Sequence, residues 1–229
     1  MQAPETDGDK IEGQQQVHNH WPYDSFLSFV FRHRPSEKTR ARTRIMEIGC
    51  GVGSNLWQAA SEGVSVAGID ANEDAIKEAK KRFHDGGLHG DLHVGDYRHL
   101  PFGTNTFDLV IDHAAISGCG KSAARQIVAE VRRVLTTDGK FLFCPYSDRH
   151  SLAKAGQSGP DGQRTAFKEP HLVGVDQLAF YTFAEVERVL GSDWMVLSWE
   201  RLEVIQQFPR PGILANWWIV VQKLCAVSG

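Results

Sequence analysis

Three glycines at alternate positions most constrain what this chain can fold into. Gly49, Gly51 and Gly53 follow the apolar run Ile45-Met46-Glu47-Ile48 and precede a helical pattern that starts at Asn55. Apolar run, turn residues and helical period in that order read as a strand, a tight turn and a helix. Glycine reaches strained backbone angles cheaply and lets a ligand approach the main chain closely. Such a turn aims the free N–H groups of a helix N-terminus at that ligand. Asp70 closes the next strand-like run, 64–69. An acid about twenty residues past a glycine turn is placed to accept from both hydroxyls of a ribose. The stretch therefore predicts a nucleoside-containing cofactor on the first strand–turn–helix of an α/β sheet.

The rest of the chain continues the alternation. Residues 55–62 predict a helix with Leu56, Trp57 and Ala60 inward. Asn72 predicts the cap of a second helix, running to Phe83 with Ala75, Ile76, Ala79 and Phe83 on its apolar face. Residues 92–94 and 107–111 predict the third and fourth strands. Residues 123–135 predict a helix with the stripe Ile127, Val128, Val131, Val134 and Leu135. Asp138-Gly139 then turns the chain into a fifth strand at 140–144. Residues 145–179 carry several glycines and prolines without a sustained period, and a long irregular segment inside a domain is usually functional. Thr182, with Glu185 as its capping-box partner, starts a helix over 183–190. Two final strands at 194–204 and 213–221 join through Pro209-Arg210-Pro211-Gly212 and read as an antiparallel pair. Strands separated by helices imply a doubly wound, mostly parallel sheet in three αβα layers, made mixed by the terminal hairpin.

Ahead of this core, residues 1–20 are polar and aperiodic and read as a disordered tail. Residues 21–229 read as one domain. A short apolar helix is expected at 23–33, its start capped by Asp24 or Ser25, with Trp21 and Tyr23 beside it. Those aromatics either anchor the helix to the sheet or form part of a lid. The basic stretch Arg32, Arg34, Lys38, Arg40, Arg42 and Arg44 is interrupted by Glu37 and has no interleaved aromatics, so it reads as a solvated linker.

Composition excludes several classes. A chain of 229 residues with net charge −3 offers no electrostatic case for nucleic acid or an anionic membrane. The first twenty residues lack the apolar centre of a secretory signal, and the longest apolar runs are too short to span a bilayer. Cys50, Cys119, Cys144 and Cys225 show no C-x-x-C spacing, so neither zinc nor a disulfide framework is expected, and the cytoplasm is the default compartment. His89 and His93 lie across Gly90 and do not make a convincing metal pair, so no metal is expected.

Two phosphate fingerprints fail at the glycine turn. The dinucleotide pattern G-x-G-x-x-G/A meets Ser54 at its last position, and no lysine follows Gly53 as a P-loop requires. What fits is E-x-G-x-G-x-G, which resembles motif I of the class I S-adenosylmethionine-dependent methyltransferases. Asp70, Gly95-Asp96, Phe107 through His113 and Val134-Leu135-Thr136-Thr137-Asp138-Gly139-Lys140-Phe141 resemble that family's later motifs, in order. The resemblance covers about residues 43–146 and implies a Rossmann-like seven-stranded sheet whose last strand is antiparallel.

The resemblance further implies S-adenosylmethionine as cofactor and S-adenosylhomocysteine as product. It assigns cofactor contacts to Glu47, Gly49, Cys50, Gly51, Gly53, Asn55, Asp70, Ala71, Asn72, Asp96, Tyr97, Asp112 and His113. Within that set Glu47 steadies the turn or the methionine ammonium, Asp70 takes the ribose, and Asp96 takes the adenine amino group. Methyl transfer from a sulfonium is an in-line displacement with a neutral leaving group, so positioning and exclusion of water dominate. His113, at the end of the fourth strand, is the candidate base if the acceptor must lose a proton. The alternative is that it only lines the pocket. His150, His171 and Tyr181, in or beside the long irregular segment, are weaker candidates for that base, and Trp21, Tyr23, Arg149 and Arg164 are candidate acceptor contacts. The expected acceptor is a small molecule, bound by a monomer or homodimer, with residues 23–33 and 145–180 covering the site. An RNA or modified-base acceptor and a non-catalytic cofactor-binding scaffold remain open at this point.

Overall fold

A computed structural model describes residues 22–167, 176–208 and 211–224. The glycine turn sits where the chain first leaves the sheet. β1 (Arg44–Ile48) buries Ile45, Met46 and Ile48 completely, because helices cover both of its faces. α2 (Ser54–Ser61) follows, then β2 (Ser65–Asp70), α3 (Glu73–Asp85), β3 (Asp91–Val94) and β4 (Phe107–Asp112). After α4 (Lys121–Val134) come β5 (Leu135–Phe143), three short strands β6 (Gln157–Ser158), β7 (Gln163–Thr165) and β8 (Gln177–Ala179), α5 (Phe183–Leu190), β9 (Trp194–Gln206) and β10 (Gly212–Lys223). α1 (Asp24–His33) precedes β1.

The main sheet has seven strands in the order β3-β2-β1-β4-β5-β10-β9. β3, β2, β1, β4 and β5 are parallel, and β10 runs antiparallel to both β5 and β9. This is the expected α/β architecture with its C-terminal antiparallel strand. One apolar layer joins Met46, Ile48, Val110, Phe141 and Phe143 to α4 and α5. The other joins Ile45, Val66, Leu109, Ile111 and Leu142 to α1, α2 and α3. The order of strands reverses between β1 and β4, and ligands of open α/β sheets bind outside the carboxyl ends of strands at such a point.

Several local expectations hold at the residue level. The Asn72 side chain accepts from the N–H groups of Asp74 and Ala75, and Ala75, Ile76, Ala79 and Phe83 are buried. Thr182 and Glu185 form the reciprocal capping box. Others need correction. α1 is capped neither by Asp24 nor by Ser25: its N-cap is Tyr23, without a side-chain cap bond. In α2 the fully buried partner of Leu56 is Ala59, while Trp57 and Ala60 are only partly covered. β5 starts at Leu135, directly after α4, because the turn at 136–139 bulges out of a strand already paired with Phe107. The segment 145–179 is not structureless where it is described. β6, β7 and β8 form an antiparallel sheet of their own, and Ser147 bridges to Tyr181.

The basic stretch is pinned far from the glycine turn. Lys38 Nζ lies 2.6 Å from Asp108 Oδ1, at the start of β4, and Arg40 Nη1 lies 2.7 Å from Glu62 Oε2. Residues 1–20, Trp21, His171 and Cys225 lie outside the described residues. Among the described residues no helix is long and apolar enough to cross a membrane, and no cluster of His, Cys, Asp and Glu could hold a metal ion.

Candidate cofactor and acceptor site

The turn after β1 depends on glycine for two separate reasons. Gly49, Gly51 and Gly53 all have positive φ, at 66°, 53° and 71°. A Cβ at Gly49 would fall 2.2 Å from the Cβ of Ala115, so there the limit is space as well as conformation. A Cβ at Gly51 would meet nothing within 4 Å. The main chain at Gly51 therefore faces open space, the candidate cofactor groove.

Asp70 ties that turn to the next one. Its Oδ2 accepts from the Gly51 N–H at 2.8 Å and its Oδ1 from the Asn72 N–H at 2.8 Å. Each oxygen keeps further lone-pair capacity for a donor in the groove. Ala71 is exposed and Asn72 half-buried beside it, while Cys50 is buried and its thiol is pushed well above its usual range.

Two buried carboxyls lie below the groove on neighbouring strands. Glu47 is 3% exposed, and Asp112 is fully buried. Glu47 Oε1 accepts from Asn55 Nδ2 at 2.6 Å, and Asp112 Oδ1 accepts from the Ile116 N–H at 2.9 Å. Glu47 Oε2 and Asp112 Oδ2 have no hydrogen-bond partner among the described residues. Burial pushes Glu47 up to about 8 and Asp112 up to about 7. A buried acceptor without a donor costs roughly 1–3 kcal/mol, more when charged. The donor set thus fits S-adenosylmethionine: an ammonium would satisfy an orphaned carboxyl oxygen, ribose hydroxyls would meet Asp70, and the bare backbone at Gly51 leaves room.

Other expected contacts sit differently. Asp96 is exposed, and Arg98 holds both its oxygens through Nε and Nη2 at 2.6–3.0 Å. That guanidinium lowers the Asp96 carboxyl to about 2. An adenine amino group must share Asp96 with Arg98. Tyr97 packs against the α4–α5 core layer and is half-buried. Its hydroxyl lies 3.6 Å from the Cβ position of Gly49, and burial raises its pKa.

The acceptor side is built from aromatic rings. Tyr23 stacks on His113 with ring centroids 3.9 Å apart and planes 15° apart. Trp218 meets His113 edge-on at 5.9 Å. The Tyr23 N–H donates to Asn55 Oδ1 at 2.8 Å, so a chain of hydrogen bonds runs from Glu47 through Asn55 to the start of α1. Burial lowers the His113 pKa, which keeps the imidazole neutral at pH 7. Tyr146, His150 and Phe180 form a second ring cluster, with centroids 5.0–6.0 Å apart. His150 Nδ1 accepts from the Leu152 N–H, so its neutral form carries the proton on Nε2. Tyr181 is fully buried, its hydroxyl without a partner among the described residues.

The two expected arginines have structural partners. Arg164 donates to the carbonyls of Ala155 and Gly156 and to Ser158 Oγ, bracing β6 and β7. Arg149 lies 3.8 Å from Glu203. Sequence reasoning missed Trp218, Tyr146 and Phe180 at this site. One signal was available for Trp218: adjacent strand residues face opposite ways, so Trp217-Trp218 must serve both faces of the sheet. Trp217 packs against α5 while Trp218 reaches His113.

The chain is similar to known proteins over part of its sequence and most of its fold. Residues 45–139 match a family model described as a methyltransferase domain. A phthiotriol/phenolphthiotriol dimycocerosates methyltransferase of Mycobacterium tuberculosis is 36% identical over 107 residues, 46% of this chain and 37% of that protein. An uncharacterized protein of Haemophilus influenzae is 29% identical over 102 residues, 43% of this chain and 41% of its own. The matched stretch thus spans about two fifths of each relative. Among solved structures, a SAM-dependent methyltransferase from Methanosarcina mazei superposes with TM-score 0.69 at 20% identity, covering 86% of this chain and 98% of that one. A 1,6-didemethyltoxoflavin-N1-methyltransferase from Burkholderia thailandensis, with that compound and S-adenosylhomocysteine bound, gives 0.61 at 17% identity, covering 87% and 76%. At these identities the superpositions establish the fold.

Proposed function

We propose that this chain is a class I S-adenosylmethionine-dependent methyltransferase, a reading its methyltransferase-domain match over residues 45–139 and its fold support, and that it methylates an uncharged small molecule with apolar or aromatic surface. The observation that carries the acceptor class is the aromatic wall of Tyr23, His113 and Trp218 at the carboxyl end of β4, beside the cofactor groove. Named relatives support a small acceptor: one methylates phthiotriol or phenolphthiotriol dimycocerosates by its name, and another binds 1,6-didemethyltoxoflavin. The placement of the basic stretch at the far end of β4, paired with Asp108 and Glu62, weighs against RNA. Cys50, Cys119 and Cys144 are free thiols, consistent with a reducing cytoplasm.

In this reading Asp70 and the backbone at Gly51 orient the ribose, and Glu47 receives the ammonium. Bound there, the cofactor supplies an electrophilic methyl group whose departure leaves a neutral thioether. Tyr23, His113 and Trp218 fix the acceptor and exclude water, which is where most acceleration of a displacement without charge build-up arises. A neutral His113 takes the acceptor's proton on an imidazole nitrogen when the acceptor is an O–H or N–H nucleophile. α1 and the segment around β6–β8 form the cover.

The test is label transfer from methyl-labelled S-adenosylmethionine into fractionated cell extract. The reading expects label in low-mass, organic-extractable material. Label confined to RNA or protein contradicts the acceptor class, and binding without transfer to any fraction supports the scaffold reading instead.

A further inference from the structure

The outer edge of the main sheet pairs with no strand among the described residues, and beyond one bulge it is long and regular. β9 ends the strand order. Natural proteins blunt such edges with charged side chains (lysine above all), prolines, bulges, short strands or a covering element, since free N–H and C=O groups invite another strand. β9 spans 13 residues, contains neither lysine nor proline, and buries only Trp194. Val204 and Ile205 are 58% and 66% exposed. A bulge divides the strand, because Ser198 faces Val220 while Val196 faces Val221. The regular stretch beyond it runs from Ser198 to Gln206, with Leu202 at its midpoint.

We propose that this stretch pairs antiparallel with the same stretch of a second copy, about a two-fold axis through Leu202. A two-fold perpendicular to the sheet keeps each face continuous, so residues can oppose only residues of the same face. Centred on Leu202, the pairing sets Arg201 opposite Glu203 of the partner subunit, twice by symmetry. On the same face Trp199 opposes Ile205 of the partner subunit, an aromatic–β-branched pair of the kind that stabilises sheets. Leu202 meets its own copy on the other face.

Neighbouring registers fail on charge. A centre at Arg201 opposes two arginines, and a centre at Glu200 or Glu203 opposes two carboxylates, which is destabilising. Within one chain Arg201 Nε already donates to Glu203 Oε1 at 2.8 Å, so both charges stand on the face that the seam would join. The occupant is thus specified by the strand's own sequence. The seam extends the sheet beyond β9, with β5 and β10 between it and β4.

Sedimentation velocity of the full chain across a wide concentration range tests this without reference to activity. The wild type is expected to dimerise. Arg201→Glu, which opposes two carboxylates at each end of the seam, is expected to weaken the dimer about tenfold or more. The charge swap Arg201→Glu with Glu203→Arg restores opposite charges and is expected to recover the dimer. Circular dichroism of each variant confirms that it is folded. A wild type that stays monomeric overturns the proposal, as does a dimer indifferent to Arg201→Glu or not recovered by the swap.

Discussion

The two halves of the sheet's carboxyl edge are made of different materials. The half at β1 and β2 is main chain and carboxyl: positive-φ glycines, the Asp70 bridge from Gly51 to Asn72, and the unmatched oxygen of Glu47. The half at β4 and β10 is aromatic: Tyr23, His113 and Trp218, with Tyr146, His150 and Phe180 behind them. The first suits a ligand rich in hydroxyl, amine and amide-like donors, whose demands barely change from one methyltransferase to another. The second suits an acceptor recognised by shape and apolar area. Asn55 joins the halves, since one side chain contacts Glu47 and the start of α1.

If the donor half works through Asp70, its removal has the largest effect. Asp70→Ala takes away both the ribose acceptor and the anchor of the turn, with charged hydrogen bonds worth roughly 1.5–3 kcal/mol each. Calorimetry with S-adenosylhomocysteine is expected to show affinity down by about tenfold to a hundredfold or more. Unchanged affinity contradicts the assignment.

A glycine pair separates space from conformation. Gly49→Ala brings a Cβ within 2.2 Å of Ala115 and also strains a φ of 66°, whereas Gly51→Ala strains a φ of 53° in open space. The second is expected to lose about 1–2 kcal/mol of stability and the first distinctly more, as read by thermal melts of the ligand-free protein. Equal losses mean that contact with Ala115 is not what requires glycine at 49.

On the acceptor half, His113→Ala is expected to lower turnover by about a hundredfold if the imidazole moves a proton, while cofactor affinity changes little. A wild-type pH profile should then rise through an apparent pKa below the ordinary histidine value, because burial lowers it. Equal turnover in the variant leaves His113 as a wall of the pocket.

A pH-dependent effect concerns Glu47. Its folded-state pKa, about 8, lies above the unfolded value, so the folded chain holds this proton more tightly. That contribution to stability is complete below the unfolded carboxyl pKa and is lost as pH rises through about 8. Glu47→Gln, neutral throughout, is therefore expected to gain stability relative to the wild type between pH 5 and pH 8. A difference in Tm that does not grow with pH contradicts the buried, protonated acid.

These halves also differ in how far the sequence discloses them. The donor half follows from spacing along one continuous stretch, so Gly49, Gly51, Asp70 and the Asn72 cap were readable, as were the seven strands and their helices. Asp96 was readable as a position, but its engagement by Arg98, two residues on, depends on the loop conformation that folds the guanidinium back onto it. The acceptor half assembles side chains from α1, β4, the end of β5, the segment before α5, and β10, and no local period links Tyr23 to Trp218. The segment 145–179 hid its strands because β6, β7 and β8 are two or three residues long, shorter than any periodic pattern can reveal. Arg149 and Arg164 drew attention as free cations, yet their partners, Glu203 and the carbonyls of 155 and 156, become neighbours only on folding.

The central claim is that one half of this edge holds the methyl donor and the other the acceptor. A crystal structure of the chain with S-adenosylhomocysteine tests it most directly. The account predicts ribose hydroxyls on Asp70, the ammonium within reach of Glu47, and the sulfur turned toward His113 and Tyr23. Adenosine seated among Tyr23, His113 and Trp218, with Asp70 untouched, would contradict it.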